Sequence, residues 1–269
     1  MAFDKNKTGY TLLFSTVMVV VVGTALAFTA LALKEQQDAN SADKKMIEIL
    51  GAIGVKADRA TARAEFEKYI TERVAIDASG QVLASYEKGK AVDSRDSEDP
   101  FNIDVMKDYR ATIKPVVKAD KGNPDAFLTV VDDLRFPLYR CAVEGKELMI
   151  IPVVGSGLWG PIWGYVALEA DGKTIYGANF DHKSETPGLG AEIKEAFFTE
   201  KFKGKQVATG EATLFRVVKG GAPTDASSVD GITGGTITSK GVDEMVNRTL
   251  KLYQGYLSTT SNLQASVQP

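Results

Sequence analysis

The stretch Asp230-Gly231-Ile232-Thr233-Gly234-Gly235-Thr236-Ile237-Thr238-Ser239 decides how the rest of the chain is read. It is a glycine-rich turn, dense in hydroxyls, that runs straight into an amphipathic helix. The apolar face of that helix is Val242, Met245, Val246, Thr249, Leu250 and Tyr253, which predicts a helix over 240–257. Thr238 or Ser239 is placed to cap its start. Glycines that bend the backbone, followed by the free amides of a helix N-terminus, make a cradle for an anion, and a phosphate group is its natural guest. Turns of this composition are common, so the reading depends on what flanks this one.

Two further segments share its character. His182-Lys183-Ser184-Glu185-Thr186-Pro187-Gly188-Leu189-Gly190 is a Pro-Gly turn with a carboxylate, capping the next helix at its Gly190 start. Gly155-Ser156-Gly157-Leu158-Trp159-Gly160-Pro161 sets a tryptophan among glycines just before a strand. His182 reads as an exposed loop residue.

The first segment resembles the flavinylation motif of the FMN-binding domain family, Asp-Gly-x-Ser/Thr-Gly-Ala-Thr, in which the last threonine bears FMN through a phosphoester. The resemblance makes Thr236 the attachment residue, opens the motif at Asp230 and Gly231, and sets Thr233, Gly234, Gly235 and Thr238 beside the cofactor. Gly235 stands where the family usually has alanine, a small-for-small change that leaves room but loosens the backbone. The second segment is similar to the family's Glu-Thr-Pro-Gly-Leu-Gly loop, which implies flavin contacts from Glu185, Thr186, Gly188, Leu189 and Gly190. The third is similar to its Gly-x-Gly-Leu-Trp turn, which brings in Leu158 and Trp159. On this reading Trp159 packs against the isoalloxazine, and Trp163 belongs to the core.

A threonine hydroxyl is a poor nucleophile without an adjacent base. In this family a separate flavin transferase takes FMN from FAD, so the resemblance implies no catalytic residue in the chain itself. A phosphodiester keeps one negative charge, which a helix N-terminus favours by roughly 0.3–1 kcal/mol.

Working toward the N-terminus, strand patterns crowd together at 126–131, 138–143, 148–154, 162–168 and 174–180, with hairpin signals at Glu144-Gly145-Lys146 and Asp171-Gly172-Lys173. A helix is predicted over 191–202 and a strand over 213–218. Antiparallel strands with segregated helices make an α+β domain over 126–257. Residues 34–125 read as a helical stalk and a loop-rich part of the same soluble domain. In it a polar joint spans 34–41, Met46, Ile47, Ile49, Leu50 and Ile53 form one helical face, Phe66, Ile70 and Val74 form a second at i+4, and long loops fill 87–124. Residues 258–269 read as a disordered polar tail.

Residues 11–33, TLLFSTVMVVVVGTALAFTALAL, are 23 residues without a charge, reaching roughly 34 Å as a helix. That crosses a hydrocarbon core of about 30 Å. The run is longer than the apolar part of a signal peptide, about 7–15 residues, so a retained anchor is expected after a short flank at 1–10. Lys5 and Lys7 on one side and Lys34, Lys44 and Lys45 on the other leave its orientation undecided by charge.

Composition narrows the chemistry. Apolar residues make up 44% and charged residues 25% of 269, an ordinary globular balance. A net charge of -3 offers no basic field for nucleic acid. With one cysteine, Cys141, and one histidine, His182, the chain alone cannot assemble a zinc site, an iron-sulfur cluster or a thiol redox pair. Cys141 reads as a buried strand residue. Gly155-Ser156-Gly157-Leu158-Trp159-Gly160 has Gly-x-Gly-x-x-Gly spacing after a strand but leads into Pro161 and a further strand, not into the helix a dinucleotide fingerprint opens, so NADH oxidation by this chain alone is not expected.

The anchor and the pattern Leu33-Lys34, Gln36-Gln37, Asn40, Asp43-Lys44, Ile49-Leu50, Gly54 resemble the C subunits of sodium-translocating NADH:quinone oxidoreductases. That resemblance implies an electron carrier in the bacterial inner membrane, with its soluble domain on the periplasmic side. Its partners would be a second FMN-bearing membrane subunit, iron-sulfur subunits, the flavin transferase and the lipid around one helix. The G subunit of the ferredoxin-linked Rnf complex, which shares the FMN domain, is the alternative. A membrane-tethered scaffold module without flavin is another.

Overall fold

In the computed structural model, residues 8–120, 122–208, 213–222 and 224–265 are described, with side chains up to residue 259. Lys5 and Lys7 of the N-terminal flank lie outside them. The chain divides into two units, Met1–Lys44 and Lys45–Pro269.

Helix α1, Thr8–Gly51, is long and apolar enough to cross a membrane, and protein buries none of its apolar window. The hydroxyls of Thr16 and Thr29 bond back to the Leu12 and Ala25 carbonyls at 2.9 and 2.8 Å, which satisfies them without water. The joint expected at 34–41 is helical, because Lys, Glu, Gln and Ala there are good helix formers.

The second unit is built on a six-stranded sheet of order β2-β1-β3-β4-β5-β6, antiparallel throughout. Its strands are β1 Ile70–Ile76, β2 Val82–Glu87, β3 Phe136–Val143, β4 Lys146–Ser156, β5 Pro161–Glu169 and β6 Ile175–His182. Both hairpin signals turn as expected, the first through Glu144 and Gly145 at φ 50° and 80°, the primed geometry that matches strand twist. β4 is apolar almost without interruption because both of its faces are covered.

On one face Met149, Ile151 and Val153 meet the C-terminal helix. On the other, Tyr139 stands at the centre of edge-to-face pairs with Phe66, Phe101 and Tyr165, at centroid distances of 6.2, 6.5 and 6.5 Å. Cys141 is buried in β3, and burial pushes its thiol up to about 12, which leaves it chemically inert.

Several expected elements differ. The helical face through Phe66, Ile70 and Val74 breaks: α2 is Ala62–Tyr69, and the β-branched run after it is β1. The run at 126–131 is a 3-10 turn, Ala126–Val130, that buries Ala126 and Phe127 and adds no strand. The loops at 87–124 contain short helices: a 3-10 turn at Pro100–Asn102, α3 Val105–Asp108, a π-helical turn at Tyr109–Ile113 and α4 Lys114–Ala119. A bidentate ion pair anchors this region, with Arg73 Nε and Nη2 donating to Asp99 at 2.9 and 2.7 Å.

The helix expected over 191–202 is three short turns, with α5 Ala196–Thr199 between 3-10 segments. Strand 213–218 contracts to β7 Arg216–Val218, which pairs in parallel with β8 Ser228–Asp230 as a separate two-stranded sheet. The last helix, α6, is Thr236–Ala265. It starts four residues earlier than expected and continues through 258–265, where a disordered tail was expected. Residues 266–269 lie outside the described residues.

The crossing of α6 over β4 positions the site. A Cβ on Gly241 would come within 2.3 Å of the Ser156 carbonyl oxygen, so only glycine allows this approach. Deeper along the helix, Arg248 donates to the Val154 carbonyl, pairs with Glu244 at 2.6 Å and lies over the Tyr109 ring at 4.5 Å. The first turn of α6 is therefore held beside the end of β4, where the Gly157-Leu158-Trp159 turn begins.

Candidate functional site

The turn before α6 is built from backbone constraints. Gly231 N–H donates to the Val218 carbonyl at 2.9 Å, closing β8 onto β7. The Asp230 carboxylate accepts from Gly221 N–H, and Lys201 Nζ donates to the Asp230 carbonyl at 3.1 Å. Asp230 is thus engaged internally. Gly234 adopts φ 79°, and a Cβ there would meet Leu189 Cδ2 at 2.7 Å. The first bond closing α6 is Ser239 N–H to the Gly235 carbonyl, at 2.9 Å, so the amides of Thr236, Ile237 and Thr238 precede any intrahelical acceptor.

Neither expected cap is one. Thr238 Oγ1 donates to Glu185 Oε2 at 2.6 Å, and Ser239 Oγ accepts from Ile232 N–H at 2.9 Å; both side chains are buried. This separates hydroxyls that are chemically equivalent in sequence. Thr233 and Thr236 are exposed, while Thr238 and Ser239 are occupied and sealed. Two turns into the helix, burial holds the Asp243 carboxyl above its ordinary value, against the opposing effect of the Val217 N–H it accepts at 2.6 Å.

Glu185 joins the three segments. Its Oε1 accepts from Trp159 N–H at 2.8 Å, while Oε2 takes the Thr238 hydroxyl. Its own N–H donates to His182 Nδ1 at 3.1 Å. His182 is the half-buried last residue of β6, not an exposed loop residue. Ser184 Oγ donates to the Trp159 carbonyl at 3.2 Å. The Glu185 carboxylate does not cap the turn at Gly190; Glu192 Oε1 instead accepts Gly188 N–H at 2.8 Å.

The joined segments leave Leu158, Trp159, Leu189 and Ile237 exposed, Trp159 by 65%. Gly188 and Thr186 are exposed in the same loop, and Gly190 is buried against Thr238. Four large apolar side chains exposed on the joined segments that carry the Thr236 hydroxyl are what an apolar guest tethered there would cover. Trp163 is half-buried, and its Nε1 donates to Glu48 Oε2 at 3.2 Å.

An FMN-binding domain family model matches residues 157–251, which takes in the first and second segments and the third from Gly157 onward. The C subunit of the Na(+)-translocating NADH-quinone reductase of Yersinia pestis is 30% identical over 261 residues, covering 92% of this chain and 91% of that one. The chain belongs to the family of these reductase C subunits. The Vibrio campbellii member of the family is 29% identical, over 88% of this chain and 87% of that protein. Among solved structures, the C subunit from Parabacteroides distasonis is 35% identical with a TM-score of 0.64, covering 84% of this chain and 97% of that one. Shewanella oneidensis NqrC is 25% identical with a TM-score of 0.62, over 83% and 99%.

Three features of this member of the C-subunit family escaped the sequence reading. Ile237 lies off the apolar face of its helix, and that break in pattern was the available signal. Lys201 and the Nδ1 of His182 carried no signal, because their partners, Asp230 and the Glu185 amide, are brought close only by the fold.

Proposed function

We propose that this chain carries one FMN, esterified through its phosphate to Thr236, and relays electrons between redox centres of the sodium-translocating NADH:quinone oxidoreductase. The observation that carries this reading is the state of Thr236: an exposed hydroxyl, unbonded among the described residues, on the first residue of a helix tied through Glu185 to segments with exposed apolar side chains. Family membership decides for this complex over the Rnf alternative.

The chain's own residues divide the work. Thr236 supplies the oxygen. A flavin transferase joins it to the FMN phosphorus of FAD, the pyrophosphate P–O bond breaks, AMP leaves, and the hydroxyl proton passes to a base of the transferase. The amides opening α6 would hold the remaining phosphate charge. Trp159, Leu158, Leu189 and Ile237 form the apolar bed that keeps water from the ring. Bound there, FMN supplies an electron store that this chain's side chains lack.

Helix α1 is the retained anchor, and the domain works on the periplasmic side of the inner membrane. Its partners are the second FMN-bearing membrane subunit and the iron-sulfur subunits. Its contribution to sodium transport is indirect, because residues 11–33 carry no ionisable group to line an ion path.

Coexpression with the transferase should give yellow protein whose mass exceeds that of the chain by one FMN less one water, with the increment on the peptide containing Thr236. Colourless protein of unmodified mass would favour a scaffold role. Trp159→Ala should keep the attachment and brighten the flavin emission, because a packed indole quenches it. Unchanged emission would show that Trp159 lies away from the ring.

A further inference from the structure

A buried carboxylate stands at the junction of the three segments with no ion pair to it among the described residues. Glu185 is 5% exposed. Both groups donating to its oxygens, the Trp159 amide at 2.8 Å and the Thr238 hydroxyl at 2.6 Å, are neutral. Among the described residues no lysine, arginine or histidine forms an ion pair with it: Lys201 is committed to Asp230 and Arg248 to Glu244. His182 approaches only as an acceptor from the Glu185 amide. Both oxygens lie against glycines, where any larger residue would displace them. A Cβ on Gly157 would lie 2.6 Å from Oε1, and one on Gly190 would lie 2.5 Å from Oε2.

A charge satisfied by neutral dipoles keeps its field, and a protein interior screens that field far less than water does. Glu185 is bonded to Thr238, two residues from the exposed Thr236 hydroxyl, and to the backbone of Trp159. A ring held in this bed would take up an electron near a negative charge held in place by two hydrogen bonds. We propose that Glu185 is a fixed anion that lowers the reduction potential of the flavin held at Thr236, while its two hydrogen bonds position the bed. This rests on the attachment reading above.

The test is a spectroelectrochemical titration of the full-length flavinylated chain, purified in detergent, in which mediators deliver electrons to the flavin. Glu185→Gln keeps the size and both contacts, since the amide oxygen can face Trp159 N–H and the amide nitrogen can donate to Thr238 Oγ1. It should load flavin and melt like the wild type. Its one-electron reduction equilibrium should shift at least tenfold toward the reduced form, about 59 mV. Glu185→Asp retains the charge and should stay near the wild-type potential.

An unchanged or lowered potential in the glutamine protein overturns the proposal. So does an aspartate protein whose potential rises as far as the glutamine protein's, and so does a glutamine protein that fails to fold or to load flavin, because a tuning charge leaves both intact. Wild-type protein without covalent flavin would instead overturn the attachment reading.

Discussion

Thr236→Val protein, coexpressed with the flavin transferase, should show no fluorescent band under ultraviolet light in a denaturing gel, while its fold stays intact. Valine matches threonine in volume and lacks only the hydroxyl. The Thr236 side chain is exposed and makes no hydrogen bond among the described residues, so its replacement should change stability by no more than about 0.5 kcal/mol. Thr238 cannot substitute, because its hydroxyl is buried and donated to Glu185. Thr233 is exposed and is the meaningful control. Thr233→Val should retain flavin, and label persisting in the Thr236→Val protein would move the attachment to Thr233. Thr238→Val should also keep label, with a weakened tie to Glu185.

The second large effect is structural. Asp99→Ala should lower the unfolding free energy of the chain by about 3–5 kcal/mol, because it strands a buried guanidinium without its counter-charge. Arg73 is 5% and Asp99 1% exposed, and two hydrogen bonds join them. Asp99 also accepts Phe101 N–H at 2.9 Å, while Arg73 donates to the Lys90 carbonyl at 3.0 Å. One pair thus fastens residues 87–104 to β1. Replacing both partners with apolar residues, Arg73→Met with Asp99→Leu, should recover much of the loss. Urea titration followed by near-ultraviolet circular dichroism measures both, and an unchanged midpoint in Asp99→Ala would show that water reaches the pair.

The four strands from β3 to β6 were legible because apolar runs alternate there with short turn signals. β1 was not. Ile70 and Val74 are four apart, a spacing that fits one face of a helix and equally one face of a strand, and only pairing with β3 decides between them. Ala126 to Val130 resembled a strand in composition, but it winds into a 3-10 turn whose apolar residues Ala126 and Phe127 are buried. The start of α6 was misjudged for a related reason. Thr238 and Ser239 are good capping residues in isolation, and the fold spends their side chains on Glu185 and Ile232 instead. The meeting of residues 155–160 and 185–190 with the turn at 230–238 was implied by resemblance and not by any local pattern, since the glutamate that joins them lies 26 residues from one contact and 53 from the other.

The anchorage of the first turn of α6 bears on how far a tethered carrier could travel. Thr238 is bound to the Glu185 loop, Ser239 to Ile232, and Gly241 is pressed against the end of β4. Anything esterified to Thr236 would therefore hang from a pivot tied to the fold on three sides, and its range would be set mainly by the ribityl phosphate arm. A carrier on so short a leash cannot shuttle between distant sites. Its donor and acceptor have to be brought within reach of one fixed point, and the traffic would be timed by movement of the neighbours.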